Sequence, residues 1–440
     1  MNFKFFTALI LYSVIYLSSR SYAFDPCASQ PDDSDLSVIP IYGKCSPFNP
    51  PKISWDNRVM DMASKDDPAR LTYLSALAAQ KTVSTAPIAS GQAFNIGNYI
   101  VRVKIGTPGQ LLFMVLDTST DEAFVPCSGC TGCSTTTAPF SPKASTTYSP
   151  LDCSVPLCGQ VRGLSCPATG SATCSFNQSY AGSTFSATLV QDSLSLATDA
   201  VPNYSFGCIN AISGATVPAQ GLLGLGRGPL SLLSQTGTNY SGVFSYCLPS
   251  FKSYYFSGSL KLGPVGQPKS IRTTPLLRNP HRPSLYYVNL TGISVGRVLV
   301  PVPAESLAFN PSTGAGTVID SGTVITRFIE PVYAAVREEF RKQVTGPFSS
   351  LGAFDTCFVK TYETLAPVVT LHLEGLDLKL PLENSLIHSS SGSLACLAMA
   401  AAPENVNSVL NVIANYQQQN LRVLFDTVNN KVGIARELCN

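Results

Sequence analysis

The chain has 440 residues, of which 45% are hydrophobic and 13% charged, and a net charge of +2. That profile excludes a disordered polyelectrolyte and, with no long basic run, a nucleic-acid partner. Glycine and proline at 32 each point instead to a turn-rich, strand-rich globular protein long enough for two domains.

At the N-terminus, Lys4 precedes an apolar run from Phe5 to Leu17, and Ser21-Tyr22-Ala23 fits the small-x-small cleavage rule. Residues 1–23 therefore read as a signal peptide. The run is too short to span a bilayer, so a secreted protein without a membrane anchor is expected. Residues 24–85 hold a Pro-rich coil (Pro40 to Pro51) and then a helical pattern from Ser54 to Gln80, divided at Pro68. Val59, Met62, Leu71, Leu74 and Leu77 recur at roughly helical spacing. This segment reads either as a helical subdomain or as a removable prosegment. Its position behind a signal peptide favours the prosegment.

From Gly97 the texture becomes strands and turns. Residues 98–105 alternate apolar and polar and break at Gly106-Thr-Pro-Gly109. Leu111 to Leu116 is a continuous apolar run, the mark of a buried strand, yet it ends on Asp117. Residues 127–174 form a cysteine-dense insertion too poor in apolar periodicity to hold itself without bridges. Tyr180-Ala-Gly-Ser183 reads as a turn. The Gly221 to Gly228 run has the wrong spacing for a dinucleotide or P-loop motif, so its glycines imply backbone crowding. Residues 264–283 are Pro/Gly/basic-rich and suit a lobe junction, giving lobes 86–278 and 279–440. Residues 285–293 then repeat the opening strand pattern. The apolar-strand-Asp unit recurs at Gly316-Thr-Val-Ile-Asp320, 203 residues after Asp117. A helix with Pro331 in its first turn follows, its buried face carrying Val332, Val336, Phe340 and Val344. Residues 410–415 and 422–427 read as two more buried strands.

A lone buried Asp is usually a satisfied structural group, but two in matching contexts suggest paired-acid chemistry. Carboxylates ~3 Å apart repel by about 5 kcal/mol at an effective dielectric near 20, enough for one proton to be shared. Such a pair can deprotonate a water with its ionised member and protonate a carbonyl oxygen with the other. Thr118 and Ser321 offer hydroxyls to cross-brace the two loops, and Thr120 and Thr323 can donate to the outer carboxylate oxygens. A serine or cysteine hydrolase is disfavoured, because His281, His372 and His388 sit in no nucleophile context.

Of fourteen cysteines, Cys27 and Cys45 lie early. Cys127, Cys130, Cys133, Cys153, Cys158, Cys166, Cys174, Cys208, Cys247, Cys357, Cys396 and Cys439 allow six bridges in an oxidising compartment. Cys127-x-x-Cys130-x-x-Cys133 could suggest a metal, but Cys153 is too distant for a ferredoxin-type run and no histidine is near. No metal and no cofactor are expected. Sequons at Asn177, Asn203, Asn239 and Asn289 point to glycosylation.

The Asp117-Thr-x-Thr and Asp320-Ser-Gly-Thr pair, the Tyr180 turn and Leu222-Leu-Gly224 resemble a pepsin-like aspartic protease. The Cys127–Cys174 insertion, Asn415-Tyr-Gln-Gln-Gln-Asn420 and the twelve-cysteine count are similar to the plant nepenthesin-type branch, nearest to secreted apoplastic aspartyl proteases. The resemblance implies a mostly β, bilobal fold with a cleft between two pseudo-symmetric lobes. It implies an aspartic endopeptidase made as a zymogen, monomeric, acting on polypeptides in the apoplast or cell wall and open to pepstatin-type inhibitors. Asp117 and Asp320 match its catalytic dyad and Tyr180 its flap tyrosine, on a turn one residue shorter than usual. It also implies the disulfides 127–130, 133–208, 153–174, 158–166, 247–439 and 357–396. Lys65 and Lys81 are equal candidates for neutralising the dyad in a zymogen, and nothing in the residues chooses between them. Two residues depart from the pattern, Ser119 and Ala414, each standing where the family has glycine. A side chain there costs ~1–2 kcal/mol if the backbone needs positive φ. The alternative to the enzyme is a protease-like binding protein of the extracellular space, such as an inhibitor of microbial wall-degrading enzymes.

Overall fold

A computed structural model describes residues 36–41, 45–48, 55–78, 99–167, 172–197, 199–251, 258–403 and 408–439. The signal peptide, Cys27, Lys81 and the 80–98 stretch lie outside the described residues. The fold is mostly β, as expected: one sheet of 19 strands and two sheets of four. No helix among the described residues is long and apolar enough to cross a membrane.

In the segment before Tyr99, β1 (Leu36–Pro40) is followed by helix α1 (Trp55–Asp61), a π-helical turn (Met62–Asp66) and helix α2 (Asp67–Ala78). The helical pattern was expected to divide at Pro68. It divides instead at the π turn, and Pro68 sits inside the first turn of α2. The physical reason is that proline's fixed φ and missing N–H suit a helix start. Val59, Met62, Leu71 and Leu74 are all buried.

β2 (Tyr99–Ile105) and β3 (Gln110–Asp117) form an antiparallel pair. β3 is buried continuously from Met114 to Asp117 because it has neighbours on both edges. Its second neighbour is the short strand Leu222–Gly224. β4 (Phe124–Thr131) leads into the cysteine-rich insertion, and β5 (Ser175–Tyr180) turns tightly into β6 (Ser183–Leu196). That turn is a two-residue hairpin loop with Ala181 at φ 45° and Gly182 at φ 91°, the positive-φ pair that matches strand twist. β7 (Asp199–Ser213) pairs along β6, and β8 (Leu222–Gly224) runs parallel to β3, Asp117 opposite Gly224.

The second half repeats this motif. β12 (Gly316–Ile319) runs parallel to β14 (Leu410–Ile413) and delivers Asp320 at its end. Between them, β13 (Thr326–Phe328) precedes α3 (Glu330–Gln343), which buries Val332, Val336 and Phe340 as the spacing indicated, with Val344 buried just past its end and Tyr333 buried in addition. The halves share strands: β9 (Val243–Cys247) pairs with both β10 (Gly258–Leu262) and β15 (Leu421–Asp426), β15 with β16 (Lys431–Arg436), and β16 with β11 (Arg272–Leu277). β1 is inserted between β2 and β10.

Two of the expected disulfides are present, 247–439 and 357–396. The four in the first half are corrected: the pairs are 127–208, 130–133, 153–166 and 158–174. Cys127 lies on β4, whose parallel register with β7 sets Val125 opposite Cys208. Cys130 and Cys133 flank a turn through Gly132 at φ 75°. In the insertion, buried Cys158 joins buried Cys174, while Cys153 and Cys166, both half-buried, join each other.

Candidate active site

Parallel pairing at both strand ends places Asp117 and Asp320 in matching positions, 0% and 1% exposed. Their loops brace one another as the hydroxyl pattern suggested. Thr118 N–H donates to Ser321 Oγ (3.2 Å), and Ser321 N–H donates to Thr118 Oγ1 (3.0 Å). Ser321 Oγ donates to the Leu116 carbonyl at 3.0 Å, and Thr118 Oγ1 reaches Asp320 Oδ1 at 3.4 Å. Thr120 Oγ1 donates to Asp117 Oδ2 (3.2 Å) and Thr323 Oγ1 to Asp320 Oδ2 (2.6 Å). Tyr180, buried on the hairpin, donates its hydroxyl to Asp117 Oδ2 at 3.0 Å, its ring held edge-on against Phe124.

Neither departure from the glycine pattern strains the backbone. Ser119 is not among the positive-φ residues, and Ala414 has φ −92°. Ser119 N–H donates to Asp117 Oδ1 at 2.8 Å, and its hydroxyl lies 3.0 Å from the same oxygen. Crowding is the constraint that glycines answer here. A Cβ on Gly224, Gly226 or Gly228 would meet Asp121 atoms at 2.2–2.3 Å, which is the crowding inferred for that run.

Among the described residues the cation in the dyad is Arg70 of α2 and not Lys65. Lys65 is exposed and pairs with Asp61 at 3.4 Å. Arg70 is 1% exposed. Its Nη2 donates to Asp117 Oδ1 (2.6 Å), to Asp320 Oδ1 (3.2 Å) and to Ser119 Oγ, and its Nε reaches Asp320 Oδ2 at 3.3 Å. Burial alone would raise the Asp117 carboxyl, but the Arg70 guanidinium overrides it, aided by both Ser119 donors, and holds it below the usual carboxylate range. Burial likewise opposes the charge on Arg70, and Asp117 and Asp320 together keep its affinity for the proton well above normal. The anchor beneath is Asp67, whose two carboxylate oxygens accept from Val324 N–H (3.0 Å) and Ile325 N–H (2.9 Å). Arg327 closes the contact through the Ala63 carbonyl. Sequence spacing gave no sign of Arg70 beyond its place in the helical pattern, because only the docked helix shows which residue faces the dyad.

Also unforeseen is the support of the second aspartate by the Asn415–Gln418 turn. Gln418 Nε2 donates to the Asp320 carbonyl (3.2 Å), and Asn415 Nδ2 to the Ser321 carbonyl (2.9 Å). One histidine does stand in a hydroxyl–imidazole–carboxylate series, contrary to expectation. His372 Nε2 lies 2.7 Å from Ser294 Oγ, and its Nδ1 2.7 Å from Asp377. The strand carrying it is paired on both sides, with one register shift between Leu290 and Gly292, and the series links Ser294 and Asp377 on the two neighbouring strands through His372 as a cross-strand network. Cys153, Cys158 and Cys166 lie close enough for a metal but are consumed in bridges. Sequon residues Asn177, Asn203 and Asn239 are exposed, whereas Asn289 is half-buried and bonds Glu374.

A mostly β fold in which two pseudo-symmetric halves each bring a buried Asp to a parallel strand end is the pepsin-like fold. Comparison with known proteins agrees. Residues 99–264 match a family described as "Xylanase inhibitor N-terminal" and 285–436 one described as "Xylanase inhibitor C-terminal". The chain is 61% identical to "Aspartyl protease AED3" of Arabidopsis thaliana, over 100% of this chain and 99% of that protein. It is 34% identical to "Aspartic proteinase nepenthesin-1" of Nepenthes gracilis, covering 78% of each. Among solved structures, soybean Basic 7S globulin superposes with a TM-score of 0.62 at 21% identity, over 77% of this chain and 93% of that one. The chain belongs to the plant aspartyl protease family.

Proposed function

We propose that this protein is a secreted aspartic endopeptidase made as a zymogen, with Asp117 and Asp320 as its catalytic dyad. The single observation that carries this reading is Arg70. One guanidinium nitrogen reaches an oxygen of each carboxylate, so both lie within hydrogen-bonding reach of one point. A water placed at that point after Arg70 leaves would touch both acids. The ionised carboxylate takes a proton from the water as its oxygen attacks the peptide carbonyl, and the protonated one gives its proton to the carbonyl oxygen. Collapse of the tetrahedral species returns a proton to the departing nitrogen. The buried surroundings strengthen each of these charge interactions, and Tyr180 would close over an extended peptide in the cleft.

The matched family descriptions suggest a second reading, a binding protein that cleaves nothing. The complete donor set around Asp117 favours the enzyme, because a scaffold used only for binding has no need to keep a carboxylate ionised. The test is incubation of the processed protein with a denatured polypeptide at acidic pH, with and without a pepstatin-type inhibitor. Cleavage that the inhibitor blocks and that Asp117→Asn abolishes is expected. No cleavage after confirmed prosegment removal would overturn the reading. The prosegment has its own check, since a secreted protein beginning upstream of about Asp56 contradicts its removal.

A further inference from the structure

We infer that Ser119 is a positioning residue that makes the dyad asymmetric, fixing Asp117 as the ionised member through its hydroxyl; this deepens, and rests on, the protease reading above. Counting donors shows the asymmetry. Setting Arg70 aside, Asp117 accepts from Ser119 N–H, Ser119 Oγ, Thr120 Oγ1 and Tyr180 OH. On the same basis, Asp320 accepts from Thr323 Oγ1 and, at 3.4 Å, Thr118 Oγ1. The residue two after Asp320 is Gly322, which has no hydroxyl to offer. The halves differ here for a reason visible at Arg70. A Cβ on Gly322 would meet Arg70 Nη2 at 2.1 Å and Cζ at 2.6 Å. On the other side, Ser119 Oγ accepts from that same Nη2. At this one position the second half leaves room for the guanidinium with a glycine, and the first half accepts from it with a hydroxyl.

The Ser119 hydroxyl therefore does two things at once. With the helix docked its oxygen accepts from Arg70 while its proton goes to Asp117 Oδ1, the oxygen its own N–H also holds. Once Arg70 leaves, the bond to Asp117 is the one that remains. Hydrogen bonds to an ionised carboxylate favour the ionised form, so this hydroxyl extends the pH range over which the dyad holds one proton rather than two. The charged and titratable groups facing Asp117 are Arg70 from α2, Asp320 from the opposite loop, Tyr180 from the hairpin and Asp121 on its own loop. Asp67 and Tyr246 face Asp320 behind it. Among these, Arg70 departs on activation, and Ser119 is the neutral group whose donor can be deleted without altering charge.

The test is the pH dependence of kcat/KM for one peptide, using processed wild type, Ser119→Ala, Ser119→Gly and Ser119→Thr. Removing the hydroxyl should move the acid limb upward by roughly 0.5–1 pH unit, a loss of about three- to tenfold below the limb with little change above it. Ser119→Thr, which keeps the hydroxyl, should restore the limb. Binding of a pepstatin-type inhibitor by calorimetry over the same pH range reads the dyad without turnover and should shift in parallel. Wild-type turnover with superimposable limbs in all variants, or a uniform loss at every pH, overturns the inference and leaves the protease reading standing. A wild type that neither cleaves nor binds the inhibitor overturns both.

Discussion

Arg70 brings a full positive charge into a site 0–1% exposed, and two carboxylates plus a serine hydroxyl receive it. Desolvating such ions is offset only while every partner stays in place, so deleting one is costlier than the pair's net contribution. Arg70→Met in the unprocessed chain should loosen the docked helix by roughly 3–5 kcal/mol. Arg70→Lys should fall between, because a point charge cannot spread across both carboxylates as the planar fork does. Limited proteolysis of residues 55–78 at neutral pH measures this. Equal protection in wild type and Arg70→Met would refute a locking role. Gly322→Ala supplies an independent probe, since its Cβ would occupy the guanidinium's place without removing any charge.

At the level of the element, the segment that carries Arg70 is bounded by pH on both sides. The Asp117 carboxyl is lowered from 3.8 by Arg70, so the lock's contribution is complete above that value and is lost as pH falls below it. Asp66, half-buried in the π turn, behaves oppositely. Burial, with the neighbouring Asp67 charge, pushes it up to about 8. Its contribution is therefore complete below 3.8 and lost as pH rises through about 8. Asp66→Asn should raise the melting temperature of the unprocessed chain at pH 8 by about 2–4 °C and leave it unchanged near pH 3. A thermal scan at the two pH values decides it, and destabilisation at pH 8 would contradict the burial argument. The sequence made these helices legible through Val59, Met62, Leu71 and Leu74, because apolar spacing survives without tertiary knowledge. It did not show the π turn or the face of Arg70, which depend on contacts with Asp117, 47 residues on, and with Asp320, Val324 and Ile325, 250 or more residues from their partners in the chain.

For the whole molecule, what could be read were the features repeated locally in both halves: an apolar strand, an Asp, a hydroxyl and a Thr. What could not be read were the pairings that only the closed sheet decides. Cys127 could not be matched to Cys208 without knowing that β4 and β7 run parallel. The bridge Cys247–Cys439 was legible through family likeness, and it ties β9 to the end of the chain across 192 residues. Chain entropy gives such a loop about 5 kcal/mol of stabilisation and a loop as short as Cys130–Cys133 about 2 kcal/mol, before any native-state strain. β9 and β15 also pair directly, from Val243 opposite Asp426 to Cys247 opposite Arg422, so part of the tie between these segments does not depend on the bridge. Replacing Cys247 and Cys439 together by serine should therefore lower the urea midpoint well below that of the Cys130→Ser/Cys133→Ser protein, by the equivalent of about 2–5 kcal/mol. Equal midpoints would mean that β-sheet pairing alone holds the two halves, and that the long bridge constrains an unfolded chain already compact enough not to need it.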